Sequence, residues 1–433
     1  MRPKLMVFGL ALAALSAAPT YATDRKDVIF YHPDGTGAAH WNAMRYLTVG
    51  PDGEINWDKL PAMALYMGHM KDALTGTSNG GATTHAYGVK VKAKSFGLDG
   101  EDEIKDAAGQ KKLSIMMEAK AAGRALGLIQ SGHIAEPGTA AFVASAKSRR
   151  AVDEIALQVI ESGAEVIMAG GEKFLLPEGV EGRHGKGARK DRLNLVLRAK
   201  ELGYTVVYTR DELAALDLAA TQKLLGVFAH GNTFNDQPEE KNAAEGKPNY
   251  TPSAPTIGEM GAAALAILKR DPDGFFLVAE EEGADNMGNV NNAIGQMEAL
   301  KRADDAIAVF RAHVAESPNT LLLMAADSDA GGMQVIGPDP AETDEALGEV
   351  NMRDRAGALL DGAAPTAFKP FMSAPDKAGK SWPFAISWAT RADVSGAILV
   401  RAEGANSHLV KGKMDNTDIY KLMYLTLFGR EAH

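Results

Sequence analysis

One serine and several strand-end carboxylates are the residues whose types and spacing could do chemistry in this sequence. Residues Thr75 to Lys90 read TGTSNGGATTHAYGVK, small or hydroxylated until Tyr87, with Ser78 just after a Gly-Thr step where a turn hands over to a helix. A serine placed there has its oxygen near unpaired backbone N–H groups and the positive end of a helix dipole. That environment suits an attacking alkoxide and an anion held beside it. It equally suits an ordinary helix cap, Ser78 or Thr77, and the stretch alone leaves both readings open. Three apolar strands elsewhere end in acids. Asp27 to His32 stops at Pro33-Asp34-Gly35-Thr36-Gly37, Phe275 to Ala279 runs into Glu280-Glu281-Glu282-Gly283-Ala284-Asp285, and Thr320 to Ala326 ends in Asp327-Ser328-Asp329. Carboxylates crowded at a strand tip are costly unless cations or solvent meet them. The pattern points to a polynuclear site for hard divalent cations, with capping turns and a solvated charge run as the structural alternatives.

Those side chains need a scaffold that brings distant strand ends together. Helix-like segments run from Ala38 to Arg45, Leu113 to Ala122, Ala140 to Ala146, Val152 to Ile160, Ile257 to Lys269, Ala293 to Val314 and Asp418 to Leu427, the last opened by Asn416-Thr417. Further strands are expected at Leu126 to Ile129, Val166 to Met168, Ala385 to Ser387 and Ala397 to Val400. The alternation predicts an α/β fold: a large, mainly parallel central sheet flanked by helices on both faces. In such sheets ligands bind past the carboxyl ends of the strands, which is where the acids lie. His230 to Ser253 reads as a polar surface loop, and Gly337 to Pro383 as an inserted surface subdomain or lid.

The chain has 433 residues, 45% of them hydrophobic, enough for a large core, and no cysteine, which excludes disulfides and thiolate ligands. Arg2 and Lys4, an apolar run from Leu5 to Ala18 and Thr20-Tyr21-Ala22 have the layout of a secretory signal. Residues 1–22 are thus expected to be removed, leaving 23–433 as a single α/β domain in the periplasm or secreted. Losing two basic residues takes the formal charge from −10 to −12. With no long Lys/Arg block, nucleic acid is not an expected partner, and after cleavage neither is a membrane.

Five segments in order resemble the alkaline phosphatase family. They are Asp34-Gly35-Thr36-Gly37 through Arg45, Thr77-Ser78-Asn79-Gly80-Gly81 through Gly88-Val89-Lys90, Ala140-Ala141-Phe142 through Ser148-Arg149, Phe275 to Asp285, and Thr320 to Asp327. The resemblance implies that Ser78 attacks phosphorus to form a phosphoserine and that Arg149 grips two phosphate oxygens. It also implies that Asp34 bridges metals, that Glu280 belongs to a third-metal site, and that Asp285 and Asp327 belong to the two catalytic ones. It further implies a homodimer acting on small phosphorylated substrates. The family binds zinc partly through three histidines, and here those positions read Asn289, Ser328 and, counting back from Gly404, Asp393. The acid usual before the nucleophile is Thr77, and the expected hydroxyl at the third metal reads Gly138, with Thr139 and Glu136 adjacent. Oxygen ligands favour magnesium, calcium or manganese, with zinc possible. His32, His40 and His85 lie in the motif segments, where folding toward the site is one reading and a packed or hydrogen-bonded structural role the expected one. The expected function is hydrolysis of phosphate monoesters. The alternatives are a phosphodiesterase or sulfatase of the same superfamily, or a non-catalytic phosphate- or cation-binding relative.

Overall fold

The computed structural model describes residues 25–337 and 359–432. The expected signal segment 1–22 and residues 338–358 of the expected lid lie outside the described residues. The central sheet has ten strands in the order Lys411–Asp415, Ala62–Met67, Leu399–Gly404, Thr320–Met324, Asp27–His32, Phe275–Glu280, Ala125–His133, Val166–Gly170, Leu224–Val227 and Thr205–Val207. All neighbours are parallel except Leu399–Gly404, which runs against both its partners. The mainly parallel α/β sheet expected from the sequence is therefore the observed one.

Asp27–His32 occupies the middle of the sheet, and its register pairs His32 with Glu280 on one side and Tyr31 with Met324 on the other. The three acid-tipped strands are thus adjacent, and their carboxyl ends finish level with one another. The reason is burial on both faces. Successive strand side chains alternate, so Val28 and Phe30 enter one core with the helices Ser78–Tyr87 and Asn416–Phe428. Ile29 and Tyr31 enter the other with Ile257–Leu268 and Ala293–Glu316. A strand buried on both sides can place polar groups only at its end.

Several expected elements differ. The helix read at Ala140 to Ala146 is instead Pro137–Ala140, because tertiary partners take the following backbone groups. The Ala146 N–H donates to Phe96 O at 3.0 Å and the Ser145 N–H to Gln158 Oε1 at 3.0 Å. The strand read to Ala326 ends at Met324, freeing the backbone that carries Asp327. Ala385 to Ser387 belongs not to the central sheet but to a small antiparallel one, in which Pro383–Ser387 pairs with Gln334–Ile336, Leu360–Asp361 and Phe371–Met372. Strands such as Ala62–Met67 and Thr205–Val207, short or half exposed, gave no clear period.

The segment His230 to Ser253 is not a bare surface loop. It contains the helix Glu239–Ala244, with Glu239 and Asn242 buried. Glu239 Oε2 accepts the Ile294 N–H at 3.0 Å, capping the start of Ala293–Glu316. Burial outweighs that hydrogen bond and pushes the carboxyl up to about 8. An acid raised in the folded state contributes stability below its unfolded pKa of about 4.3, and that contribution is lost as pH rises through the folded value. Glu239→Gln keeps the acceptor without the proton. Its melting temperature by circular dichroism should match wild type near pH 5 and exceed it by a few degrees near pH 9.

Candidate active site

Thr77, not Ser78, caps the helix Ser78–Tyr87: its hydroxyl accepts the Gly80 N–H at 3.3 Å. Ser78 is the first helical residue, buried, and among the described residues its hydroxyl has no hydrogen-bond partner. One turn further on, a Cβ at Gly81 would lie 2.6 Å from Asp327 Cβ and 2.7 Å from its Oδ2. Residues three apart share a helix face, so the absent side chain lets the serine's face of the helix settle on the acid cluster. Lys90 is remote from that chemistry. Its ammonium pairs with Asp415 at 2.9 Å and donates to His69 O at 2.7 Å, fastening the segment to the last helix.

Asp34 leaves its strand through Gly35, whose φ of +69° disfavours a side chain and whose Cβ would sit 2.7 Å from Asp285 Cα. That turn brings Asp34 beside Asp285. Two groups of ligand atoms then share Asp34: His32 with Asp34 and Asp327, and Asp34 with Glu280 and Glu282, each group within 4.8 Å. A third set adjoins them. Asn289 Nδ2 donates to both oxygens of Asp285 at 3.1 Å and to Asp393 Oδ1 at 2.9 Å. Asp393 arrives by pairing with Ala330 in a two-residue bridge, and buried Ser328 adjoins it.

This concentration of charge has few internal partners. Asp34 Oδ2, both Asp327 oxygens, both Glu280 oxygens and Glu282 Oε2 are buried without a hydrogen bond among the described residues. Burial pushes Asp327, Asp285, Glu280 and Glu282 well above the usual carboxylate range, and neighbouring negative charges push them further. Two like charges 4 Å apart repel by roughly 4 kcal/mol at an effective dielectric of about 20. The donors present, oxygens with one imidazole nitrogen, fit divalent cations that would relieve this repulsion.

Not every candidate faces an ion. Glu136 has both oxygens engaged, by His133 Nε2 and by Arg149 Nη2, each at 2.8 Å. Expected among the ion ligands, it pairs here with Arg149, whose side chain stays 45% exposed. Burial disfavours the guanidinium charge, but Glu136, Glu282, Asp285 and Asp34 hold its pKa above the ordinary value, so it sits within the field of the cluster. Thr139 is buried and accepts from Gln130 Nε2 at 2.5 Å, with Gln130 in register beside Glu280.

Glu282, which the sequence reading did not single out as a ligand, and His32, which it read as structural, both lie beside Asp34. The run Glu280-Glu281-Glu282 splits by alternation. Glu281 turns away to Arg302 at 3.2 Å and Ser131 at 3.0 Å, while the residues on either side face Asp34. Period-two reading of the run was the available signal. His40 and His85 are structural as expected: His40 Nδ1 accepts the Gly37 N–H at 3.1 Å, and His85 Nε2 lies 2.8 Å from the Tyr66 hydroxyl. His32 makes a hydrogen bond of the expected kind, Nδ1 to Ala325 O at 2.7 Å, and its other nitrogen lies 3.1 Å from Asp34 Oδ1.

A mainly parallel sheet, a carboxylate cluster at its carboxyl edge and a helix-borne serine against that cluster define a site of the ester-hydrolase kind. The chain belongs to the alkaline phosphatase family, whose profile matches residues 25–428. It is 25% identical over 348 residues to the alkaline phosphatase of Gadus morhua, a match covering 69% of this chain and 71% of that one. It is 28% identical over 340 residues to the tissue-nonspecific isozyme of Rattus norvegicus, covering 70% of this chain but 62% of the relative. The Thermus thermophilus alkaline phosphatase structure superposes with a TM-score of 0.71 at 21% identity, covering 99% of this chain and 96% of that one. The enzyme of the Antarctic bacterium TAB5 gives 0.70 at 19%, covering 94% and 99%.

The packing at Gly138 offers a test of the cluster. A Cβ there would fall 1.6 Å from Glu280 Oε1. Gly138→Ala should displace that carboxylate and weaken Mg2+ binding at least tenfold by calorimetry, while the melting temperature moves by only a few degrees.

Proposed function

We propose that this chain is an exported, metal-dependent phosphomonoesterase working through a phosphoserine on Ser78. The observation that carries the reading is the seating of the Ser78 helix face on Asp327 through Gly81. Asp34, Glu280, Glu282, Asp285, Asn289, Asp327, Ser328 and Asp393 would hold divalent cations, with Thr139 beside Glu280. The mainly oxygen donor set favours Mg2+, Mn2+ or Ca2+ over Zn2+. A structure of a TAB5 alkaline phosphatase variant has Mg bound in its M3 site. Such ions, when bound, lower the pKa of an attacking oxygen and neutralise charge on the phosphoryl and leaving oxygens.

The chain's own groups supply the rest. Ser78 Oγ bonds to phosphorus as the bond to the leaving oxygen breaks, its proton passing through solvent to that oxygen, aided by the positive end of its helix. Water then attacks the phosphoserine, the Ser78 oxygen leaves with a proton, and inorganic phosphate departs. Arg149, half exposed and held on one side by Glu136, has donors free for two phosphoryl oxygens in its planar fork. By family resemblance the enzyme works as a homodimer.

The test strips the protein of metal, restores Mg2+, Mn2+, Ca2+ or Zn2+ singly, and follows hydrolysis of aryl phosphate, bis-aryl phosphate and aryl sulfate. Monoester turnover that disappears in Ser78→Ala, with a phosphoryl adduct on Ser78 by mass spectrometry after acid quench, is the expected result. Preference for the diester or the sulfate selects those activities, and inactivity with every ion selects a non-catalytic binder. Arg149→Ala should lower kcat/KM for the monoester by about 30-fold or more, the value of a charge-assisted hydrogen bond pair. Glu136→Gln should raise KM more than it lowers kcat, because it loosens the grip without touching the nucleophile.

A further inference from the structure

We infer that His32 is a metal ligand, supplying from the central strand an imidazole to the ion held between Asp34 and Asp327. The inference rests on the reading that the cluster binds cations. His32 is the last residue of its strand, on the Phe30 face, and only 1% exposed. Its Nδ1 lies 2.7 Å from Ala325 O. A carbonyl can only accept, so Nδ1 donates to it, and the buried Nε2 on the other side of the ring has no hydrogen-bond partner among the described residues. That nitrogen lies 3.1 Å from Asp34 Oδ1 and 4.0 Å from Asp327 Oδ1.

A positive charge belongs between that nitrogen and two buried carboxylates, and a metal ion, unlike a proton on the ring, would also meet the unpartnered oxygens of Asp34 and Asp327. Two ligands each about 2.0–2.2 Å from one ion sit roughly 3–4 Å from each other, which is the spacing seen here. The ring is also held in the way a metal-binding imidazole is held: a backbone carbonyl on the far nitrogen fixes its tautomer and orientation. The rings of Phe30 and His85, each centred 5.9 Å from that of His32, wall it against rotation. Ser328, the residue after Asp327, brings only a hydroxyl to this edge, so the nitrogen comes from the neighbouring strand.

The two groups that share Asp34 then differ in kind. Asp34, Glu280 and Glu282 offer oxygen alone and suit Mg2+ or Ca2+, whereas the His32 group suits Mn2+, Co2+ or Zn2+. The cluster is built for two unlike ions.

The test reads the metal directly. Wild-type protein loaded with Mn2+ in the presence of excess Mg2+ should show nitrogen modulation from one imidazole in pulsed electron paramagnetic resonance. His32→Ala should lose that signal and bind Mn2+ at least tenfold more weakly, while His85→Phe keeps both. His32→Asn, which restores an amide oxygen, should recover part of the affinity without the nitrogen signal. Bound Mn2+ with oxygen-only coordination in wild type overturns the inference and leaves the phosphatase reading standing. Failure to bind any ion overturns both. A nitrogen signal from a protein that hydrolyses no monoester supports the ligand and sinks the proposed activity alone.

Discussion

Mutual repulsion among buried carboxylates is the constraint around which this molecule is arranged. Glu280, Glu282, Asp285 and Asp327 sit where water is excluded, and the charge of Asp34 beside them raises the cost of ionising each of the four. Such a cluster survives only if the surrounding fold fixes it more strongly than the charges drive it apart. The doubly covered sheet does so. Val28, Phe30, Ile29 and Tyr31 are fully buried, so the strand ends cannot separate without exposing the core. The large apolar interior thus stabilises an unfavourable electrostatic arrangement that cations then relieve.

Positive charge is rationed accordingly. Among the described residues only Arg149 reaches the cluster with a full guanidinium, and Glu136 draws it to the rim, where 45% of its side chain meets solvent. A cation planted deeper would neutralise the acids permanently and compete with any ion for them. The helix dipole beneath Ser78 is the gentler alternative, a partial charge with no mobile side chain. Thr77, by capping the helix, leaves the serine hydroxyl uncommitted.

Much of this could be read in the chain because local chemistry and global topology agree. Asp34, Glu280 and Asp327 were legible because each ends an apolar run, and parallel sheets put strand ends on one edge. The outer limits were less legible. Ala140 to Ala146 has helix-forming composition, yet tertiary hydrogen bonds to Phe96 and Gln158 override it. Glu136 looked like a ligand because an acid near a turn carries no mark of its partner, and only the fold shows His133 and Arg149 flanking it. The surroundings of His32 were hidden for a related reason. A histidine ending a buried strand has the same sequence appearance whether its free nitrogen meets a hydrophobic wall or two carboxylates, and that depends on the register with Thr320–Met324.

The lone reversed strand, Leu399–Gly404, makes the assembly order of the site unusual. It and the adjoining bridge at Asp393 come late in the chain, yet they close the edge against Thr320–Met324 and bring Asp393 to Asn289. The site therefore draws on residues from 34 to 393, and loop-closure entropy makes contacts of such separation slow to form. A nascent polypeptide would carry Ser78 long before Asp393, so the cluster stays incomplete until the segment around residue 393 has emerged.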